Sequence, residues 1–290
     1  MSHSQRAVGT SARPRPGRSP LAEALDIPPI RIPVSAATPK GFRAWAGSED
    51  YPKHVRISYG GGEIRIRINP NVAEIRLPAG AVATLEGFCD WATSGAFPRR
   101  GRFSFLGEEV FIDMSPEEIE THIKLKGEIQ RVIGTLTEAL DLGEFFPDGA
   151  LVRNEAASLS NEPDGTLVKW ETSESGRVRF VPRQDELGMY MQLEGTPDWV
   201  LEVVSKWSVQ KDYRVLRQRY HRAGIPEYWL VDARGEEIVF QILTWRRNGY
   251  VAVRPRDGWY KSRVFPASFR LERQRNRVGR WKYELRVKQA

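Results

Sequence analysis

The segment Pro197-Asp-Trp-Val-Leu-Glu-Val-Val204 sets one ionisable residue, Glu202, among aliphatic neighbours in a pattern that reads as a β-strand. A carboxylate at the centre of an apolar strand must be paired or must bind a cation, because burying it alone is expensive or forces it neutral. Strand alternation puts Asp198, Val200, Glu202 and Val204 on one face. Asp198 and Glu202 are then ~13 Å apart at a rise of ~3.3 Å per residue, so they cannot chelate one ion. A second ligand has to come from an adjacent strand. Glu162-Pro163-Asp164-Gly165, at the head of the strand-like run TLVKW, offers Asp164. A cation held there would be shared by two carboxylates on neighbouring strands. A Glu202 that only pairs with a core arginine is the plainer alternative.

Composition narrows the chemistry further. The single cysteine, Cys89, excludes an intramolecular disulfide, and four histidines scattered at 3, 54, 122 and 221 leave no ligand set for structural zinc. A metal would need oxygen ligands. At 290 residues, 40% of them hydrophobic, the chain can bury a substantial core. No apolar run approaches the ~18 residues of a membrane span, and Met1 to Pro20 lacks the apolar centre of a secretory signal. A cytoplasmic protein with no membrane partner is the expectation. The net charge of +7 is unevenly placed: residues 1–80 hold 12 Lys/Arg against 6 Asp/Glu, residues 81–253 hold 20 against 28, and residues 254–290 hold 12 against 3. An acidic body between basic ends suits a carboxylate metal site flanked by surfaces for a polyanion, although solvated charged ends would look the same.

The elements that must position these residues can be read along the chain. Residues 1–40 hold seven of the 19 prolines, so a disordered Pro/Arg-rich arm is expected before Gly41. Residues 41–70 then align without gaps on 87–116 with twelve identities, among them Phe42/Phe88, Trp45/Trp91, Arg56/Arg102, Ser58/Ser104 and Glu63/Glu109. Each copy reads as a short helix followed by a β-hairpin that turns at glycine, a local duplication adding a second hairpin. Ser115-Pro116-Glu117-Glu118 has the form of a capping box that opens a helix, and apolar spacings of three and four carry it to about Leu140. Strands are expected near 149–154, 164–170, 177–181, 189–194, 198–204, 227–232, 236–243 and 250–254. A helix is expected over 209–223, stopped by Gly224, and a terminal hairpin turns at Asn276 to Gly279. Tyr220, Tyr228 and Trp229 read as core rather than as base-stacking residues. The run RLERQRNRVGRWKYELRVK could track phosphates or simply be a solvated face.

Three segments in order, EPDG at 162–165, GTPDWVLEVVS at 195–205 and KDYRVLRQRYHRAGIPEYWLVD at 211–232, resemble the Uma-two family of the PD-(D/E)xK nuclease superfamily. The lead-in GRFSFLGEEVFIDMSPEEIETH extends the resemblance over most of the chain from about Thr84. It implies an aspartate and a glutamate on neighbouring strands holding magnesium, with a lysine that orients or activates the attacking water. The matching carboxylates are Asp164 and Glu202. The lysine departs from the pattern: Val204 occupies the superfamily position, and Leu216 the helical position used by relatives. Lys211, at the start of the helix after the Glu202 strand, is the favoured substitute, with Lys206 the other candidate. His122, Glu108 and Asp198 are further residues that could line the site.

These readings converge on an α/β chain, bordering α+β. Its expected core is a restriction-endonuclease-like mixed β-sheet flanked by helices, with extra β-hairpins. The expected organisation is an arm at 1–40, the first repeat copy at 41–80 and a nuclease-like domain at 81–290 that ends in a basic hairpin. The expected function is magnesium-dependent hydrolysis of DNA phosphodiester bonds by Asp164, Glu202 and Lys211, with nucleic acid as partner and a homodimer able to cut both strands. A catalytically lapsed nuclease fold that only binds nucleic acid is the alternative, suggested by Val204 and Leu216.

Overall fold

The computed structural model describes residues 27–68, 74–183 and 188–289. Strand β1 (Ile30–Pro33) falls inside the segment expected to be an unpacked arm. Alternation in IRIP puts both isoleucines on one face, and that face is buried. The expected start of packing at Gly41 is therefore corrected to about Ile30. The prolines that suggested disorder punctuate ordered elements: Pro33 ends the strand and Pro39 opens a helix. Residues 1–26 of the expected arm lie outside the described residues.

After a 3₁₀ turn at Val34–Ala37, helix α1 (Pro39–Ala46) is capped by the Thr38 hydroxyl, which accepts from the Gly41 N–H at 3.1 Å. Strands β2 (Arg56–Gly60) and β3 (Glu63–Arg67) form a hairpin that turns at Gly61 and Gly62, both at positive φ. Strand β4 (Ile75–Pro78) opens the same sequence of elements again. Helix α2 (Ala79–Ala83) is followed by α3 (Leu85–Ala92), which Thr84 caps from the Gly87 N–H at 3.0 Å. The hairpin of β5 (Arg102–Leu106) and β6 (Glu109–Asp113) follows, turning at Gly107. The copies agree in detail: the Phe42–Trp45 and Phe88–Trp91 ring pairs are both 5.8 Å apart at 71°.

The two copies exchange their first strands. β1 pairs with the second hairpin (Ile30↔Ile112, Ile32↔Val110, Pro33↔Glu109), while β4 pairs with the first (Ile75↔Ile66, Leu77↔Ile64, Pro78↔Glu63). The partners 112, 110 and 109 are the partners 66, 64 and 63 displaced by the repeat offset, so the two registers are the same. One apolar cluster runs through both copies, from Ile30 and Ile32 through Ile64 and Leu77 to Phe88 and Phe105. The duplication is thus more than an added hairpin: each copy is completed by a strand of the other.

The helix expected from Ser115 begins instead at Ile119. Glu118 is itself the N-cap, its carboxylate accepting from the N–H groups of Glu120 and Thr121, and Ser115 is held by Asp113. The first turn, Ile119–Ile123, is π-helical, and α4 (Lys124–Ala139) continues it. The wider turn rotates the faces, leaving Ile119 and Ile123 in solvent and burying His122 and Lys126 beside Leu125 and Ile129.

The remaining elements are β7 (Gly143–Phe146), β8 (Leu151–Asn154), β9 (Leu159–Asn161), β10 (Gly165–Lys169), α5 (Trp170–Glu174), β11 (Val178–Pro182), β12 (Tyr190–Gly195) and β13 (Trp199–Val203). A π-helical stretch at Lys211–Leu216 leads into α6 (Arg217–Arg222), which Gly224 ends at φ +75°. Strands β14 (Glu227–Asp232), β15 (Val239–Thr244), β16 (Val251–Ala252), β17 (Tyr260–Lys261), β18 (Ala267–Arg275) and β19 (Trp281–Gln289) close the chain. The class is α/β with mixed pairing, and two large sheets stand where one was expected. One has the order β1-β6-β5-β9-β8-β12-β11 and the other β16-β15-β14-β13-β10-β7. β13 and β14 run parallel, joined by the α6 crossover. The terminal hairpin turns where expected, as β18 and β19. No helix among the described residues is long and apolar enough to cross a membrane.

If β1 completes the second copy, Ile32→Ala should destabilise the chain by about 2–5 kcal/mol, the usual loss for a fully buried large aliphatic side chain. Urea unfolding followed by circular dichroism measures it. A loss under about 0.5 kcal/mol, the size of an ordinary surface substitution, would contradict the exchange.

Candidate active site

β10 runs antiparallel to β13 with Gly165 opposite Leu201, and one step further along this register Asp164 stands opposite Glu202. Two hydrogen bonds fix the step: the Asp164 N–H donates to the Leu201 carbonyl at 2.9 Å, and the Val203 N–H donates to Asp164 Oδ2 at 2.8 Å. Alternation along β13 sends Trp199, Leu201 and Val203 into one apolar cluster and Val200 and Val204 into another, so Glu202 shares its face with the latter pair. There the Tyr220 hydroxyl donates to Glu202 Oε1 at 2.5 Å, and Asn161 Nδ2 donates to the same oxygen at 3.0 Å.

The second oxygen of each carboxylate is held differently. Glu202 Oε2 stands 3.5 Å from Lys211 Nζ, and Asp164 Oδ1 stands 3.5 Å from Lys126 Nζ. Each carboxylate therefore has one oxygen fixed by short hydrogen bonds and one that faces an ammonium group beyond hydrogen-bond contact. His122 Nε2 lies 3.6 Å from Asp164 Oδ2, brought there by the π-helical turn. A second π-helical stretch places Lys211, whose ammonium is 3.1 Å from Asp212 Oδ1.

Burial and charge push the two carboxyls apart in acidity. Burial raises Glu202, aided by the charges of Asp212 and Asp164 and opposed by Lys211, and leaves it at about 8. Burial would also raise Asp164, but the neighbouring His122, with the charges of Arg102 and Lys126, outweighs it and holds Asp164 well below the usual carboxylate range. Burial works against the Lys211 ammonium, yet Asp212, Glu202 and Asp164 overcome it and hold the group protonated. Glu162 is pushed up to about 7 by burial and by Asp148 beside it.

Asp164, Glu202, Lys211 and His122 line one cleft. The other candidates do not reach it. Asp198 sits at the far end of β13, taken up by Arg177 at 2.8 Å and the Lys169 N–H at 2.8 Å. Glu108 lies exposed in the β5–β6 turn, and the exposed Lys206 stands over the Trp207 ring at 4.4 Å. Val204 and Leu216, the expected lysine positions, are buried with Val200 and Tyr220 in an apolar cluster, which explains why neither carries charge.

Sequence reasoning missed several lining residues: Arg102, Ser104 and Asp113 from the second repeat hairpin, together with Asn161, Glu162, Ser208 and Asp212. It also missed Lys126. A signal existed for some of them. Asn161 and Glu162 stand three and two residues before Asp164, Lys126 follows His122 by one helical turn, and Asp212 adjoins Lys211.

A family model described as "Putative restriction endonuclease" matches residues 85–274. The chain belongs to the Uma2 family. The first repeat copy lies outside the Uma2 match, whereas every residue that lines the cleft lies within it. Among solved structures, a putative nuclease belonging to DUF820 from Anabaena variabilis is 15% identical, with a TM-score of 0.44 over 62% of this chain and 88% of that one. No curated protein matches.

The raised Glu202 carboxyl sets a pH dependence. Between about pH 4.5, its ordinary value, and about 8, the folded protein keeps a proton that the unfolded chain has lost, so this group's contribution to stability falls as pH rises. Metal-free protein should lose more stability between pH 5.5 and 8.5 than Glu202→Gln, which stays neutral throughout. Equal losses in urea titrations at the two pH values would refute the assignment.

Proposed function

We propose that the chain is a magnesium-dependent endonuclease of the PD-(D/E)xK type that hydrolyses DNA phosphodiester bonds, with Asp164 and Glu202 as metal ligands and Lys211 as the third member. The observation that carries this reading is the facing pair of buried carboxylates, each with one oxygen pinned and one turned toward a cation. Membership of a family described as "Putative restriction endonuclease" supports the reaction class.

The donor set fits a hard cation. Among the described residues no group of three or more His, Cys, Asp or Glu gathers as a metal site. Two carboxylates match the needs of magnesium, which takes its other ligands from water and phosphate. A divalent cation would also favour ionised Glu202, the form that burial disfavours. When bound, magnesium polarises the scissile phosphate and lowers the pKa of a coordinated water.

The residues of the chain do the rest. Asn161 and Tyr220 fix the Glu202 oxygen that faces away from Lys211, and the Val203 N–H does the same for Asp164. Lys211, held protonated by its acidic neighbours, acts as a fixed cation that orients water and balances charge developing on the phosphate; it does not act as a general base. Glu162, poised near neutrality at the cleft, is placed to take up a proton.

Supercoiled plasmid with magnesium should be nicked by the wild type and left intact by Asp164→Asn and Glu202→Gln. Lys211→Met should lower the rate by about 10²–10³-fold, the usual effect of removing one group that stabilises transition-state charge. Equal nicking by Glu202→Gln, in protein free of contaminating nuclease, would sink the assignment. The lapsed-nuclease alternative rests on Val204 and Leu216, and an intact plasmid combined with retained DNA binding would favour it.

A further inference from the structure

The reciprocal repeat leaves one hairpin face covered and its counterpart open. In the second copy, Arg102, Ser104, Phe111 and Asp113 point from β5 and β6 into the active-site cleft. The same positions in the first copy, displaced by 46, are Arg56, Ser58, Arg65 and Arg67. They share one face of the sheet β2-β3-β4, the face opposite the buried Ile64, Ile66 and Leu77. Arg and Ser are retained, while the aromatic and the aspartate have both become arginine. Arg76 of β4 joins them, occupying the place that Arg31 holds beside the second hairpin.

This face is cationic and open. Arg56 stands directly opposite Arg67, and Arg65 opposite Arg76. The side chains of Arg65, Arg67 and Arg76 are 42%, 69% and 64% exposed. Like charges placed opposite one another across a sheet destabilise it, and burial of the other face does not require them. Glu63 and Glu74 pair with Arg65, Arg67 and Arg76, so four arginines face two glutamates, and Arg56 has no ion pair among the described residues. A three-stranded face that offers forked guanidinium groups about one strand spacing apart suits a row of phosphates.

We propose that the exposed face of the β2-β3-β4 sheet, carrying Arg56, Arg65, Arg67 and Arg76, docks on the phosphate backbone of duplex DNA outside the cleavage site. The first copy would then serve as an anchor derived from the wall of the nuclease cleft. The choice of DNA as ligand rests on the function proposed above, but binding at this face requires neither metal nor cleavage.

The test is fluorescence anisotropy of the full chain with a labelled duplex in EDTA across a salt series. The Arg56→Gln/Arg65→Gln/Arg67→Gln/Arg76→Gln variant should bind at least about tenfold more weakly at low salt, with a log K against log [salt] slope shallower by about 0.9 for each phosphate left unneutralised. Thermal melting verifies that the variant is folded. If it is not, Arg56→Gln/Arg67→Gln, which changes only two side chains on this open face, should show a smaller change in the same direction. Unchanged affinity and slope in a folded variant would overturn the proposal, as would parent protein that fails to bind duplex at low salt. Failure to nick plasmid with duplex binding and its arginine dependence intact would remove the nuclease assignment and leave this one standing.

Discussion

Two carboxylates buried face to face on adjacent strands constrain everything around them. Ionised together in a dry interior they would repel each other, so each must be given donors, and a cation must stand nearby. The backbone supplies the first donor for Asp164 through the Val203 N–H, a consequence of the β10–β13 register. Side chains supply those for Glu202, and they come from different places: Asn161 from β9 in the other large sheet, and Tyr220 from α6, the crossover helix. The site therefore exists only when both sheets and the crossover helix are in place.

The two helices that border the cleft each reach it through a π-helical turn. A regular helix over 119–139 would keep Ile119 and Ile123 on the apolar stripe, as their spacing suggests. The wider turn instead releases them to solvent and turns His122 and Lys126 toward Asp164. The same device at Lys211–Leu216 buries Asp212 and Leu216 and brings the Lys211 ammonium to Glu202. Lys211 thus reaches the cleft from the helical stretch whose other end, Leu216, is buried in the apolar cluster. The second repeat hairpin closes the remaining side, and β1 from the first copy extends its sheet.

The carboxylates are legible in the sequence because a polar residue in an apolar strand has few physical explanations, and strand geometry alone excludes Asp198. Lys211 is legible from its position at the start of the helix that follows the Glu202 strand. The cap at Glu118 is not, because Ser115-Pro116-Glu117-Glu118 satisfies the same capping rule three residues early. Asn161 and Tyr220 are hidden for another reason: their partner is far away in sequence, and an aromatic in an apolar stretch reads as core. The strand exchange escapes an ungapped comparison because IRIP at 30–33 and IRLP at 75–78 are 45 residues apart, not 46, so one residue of loop length conceals the match. Pairing between copies is a long-range choice that local pattern cannot express.

On the proposed reading, Asp164 Oδ1 and Glu202 Oε2 share one divalent cation. Anomalous diffraction from crystals soaked in manganese should then show a single strong peak within coordination distance of both carboxylates, absent from Glu202→Gln crystals soaked in the same way. No peak at the cleft, or a peak that persists in the variant, would contradict it.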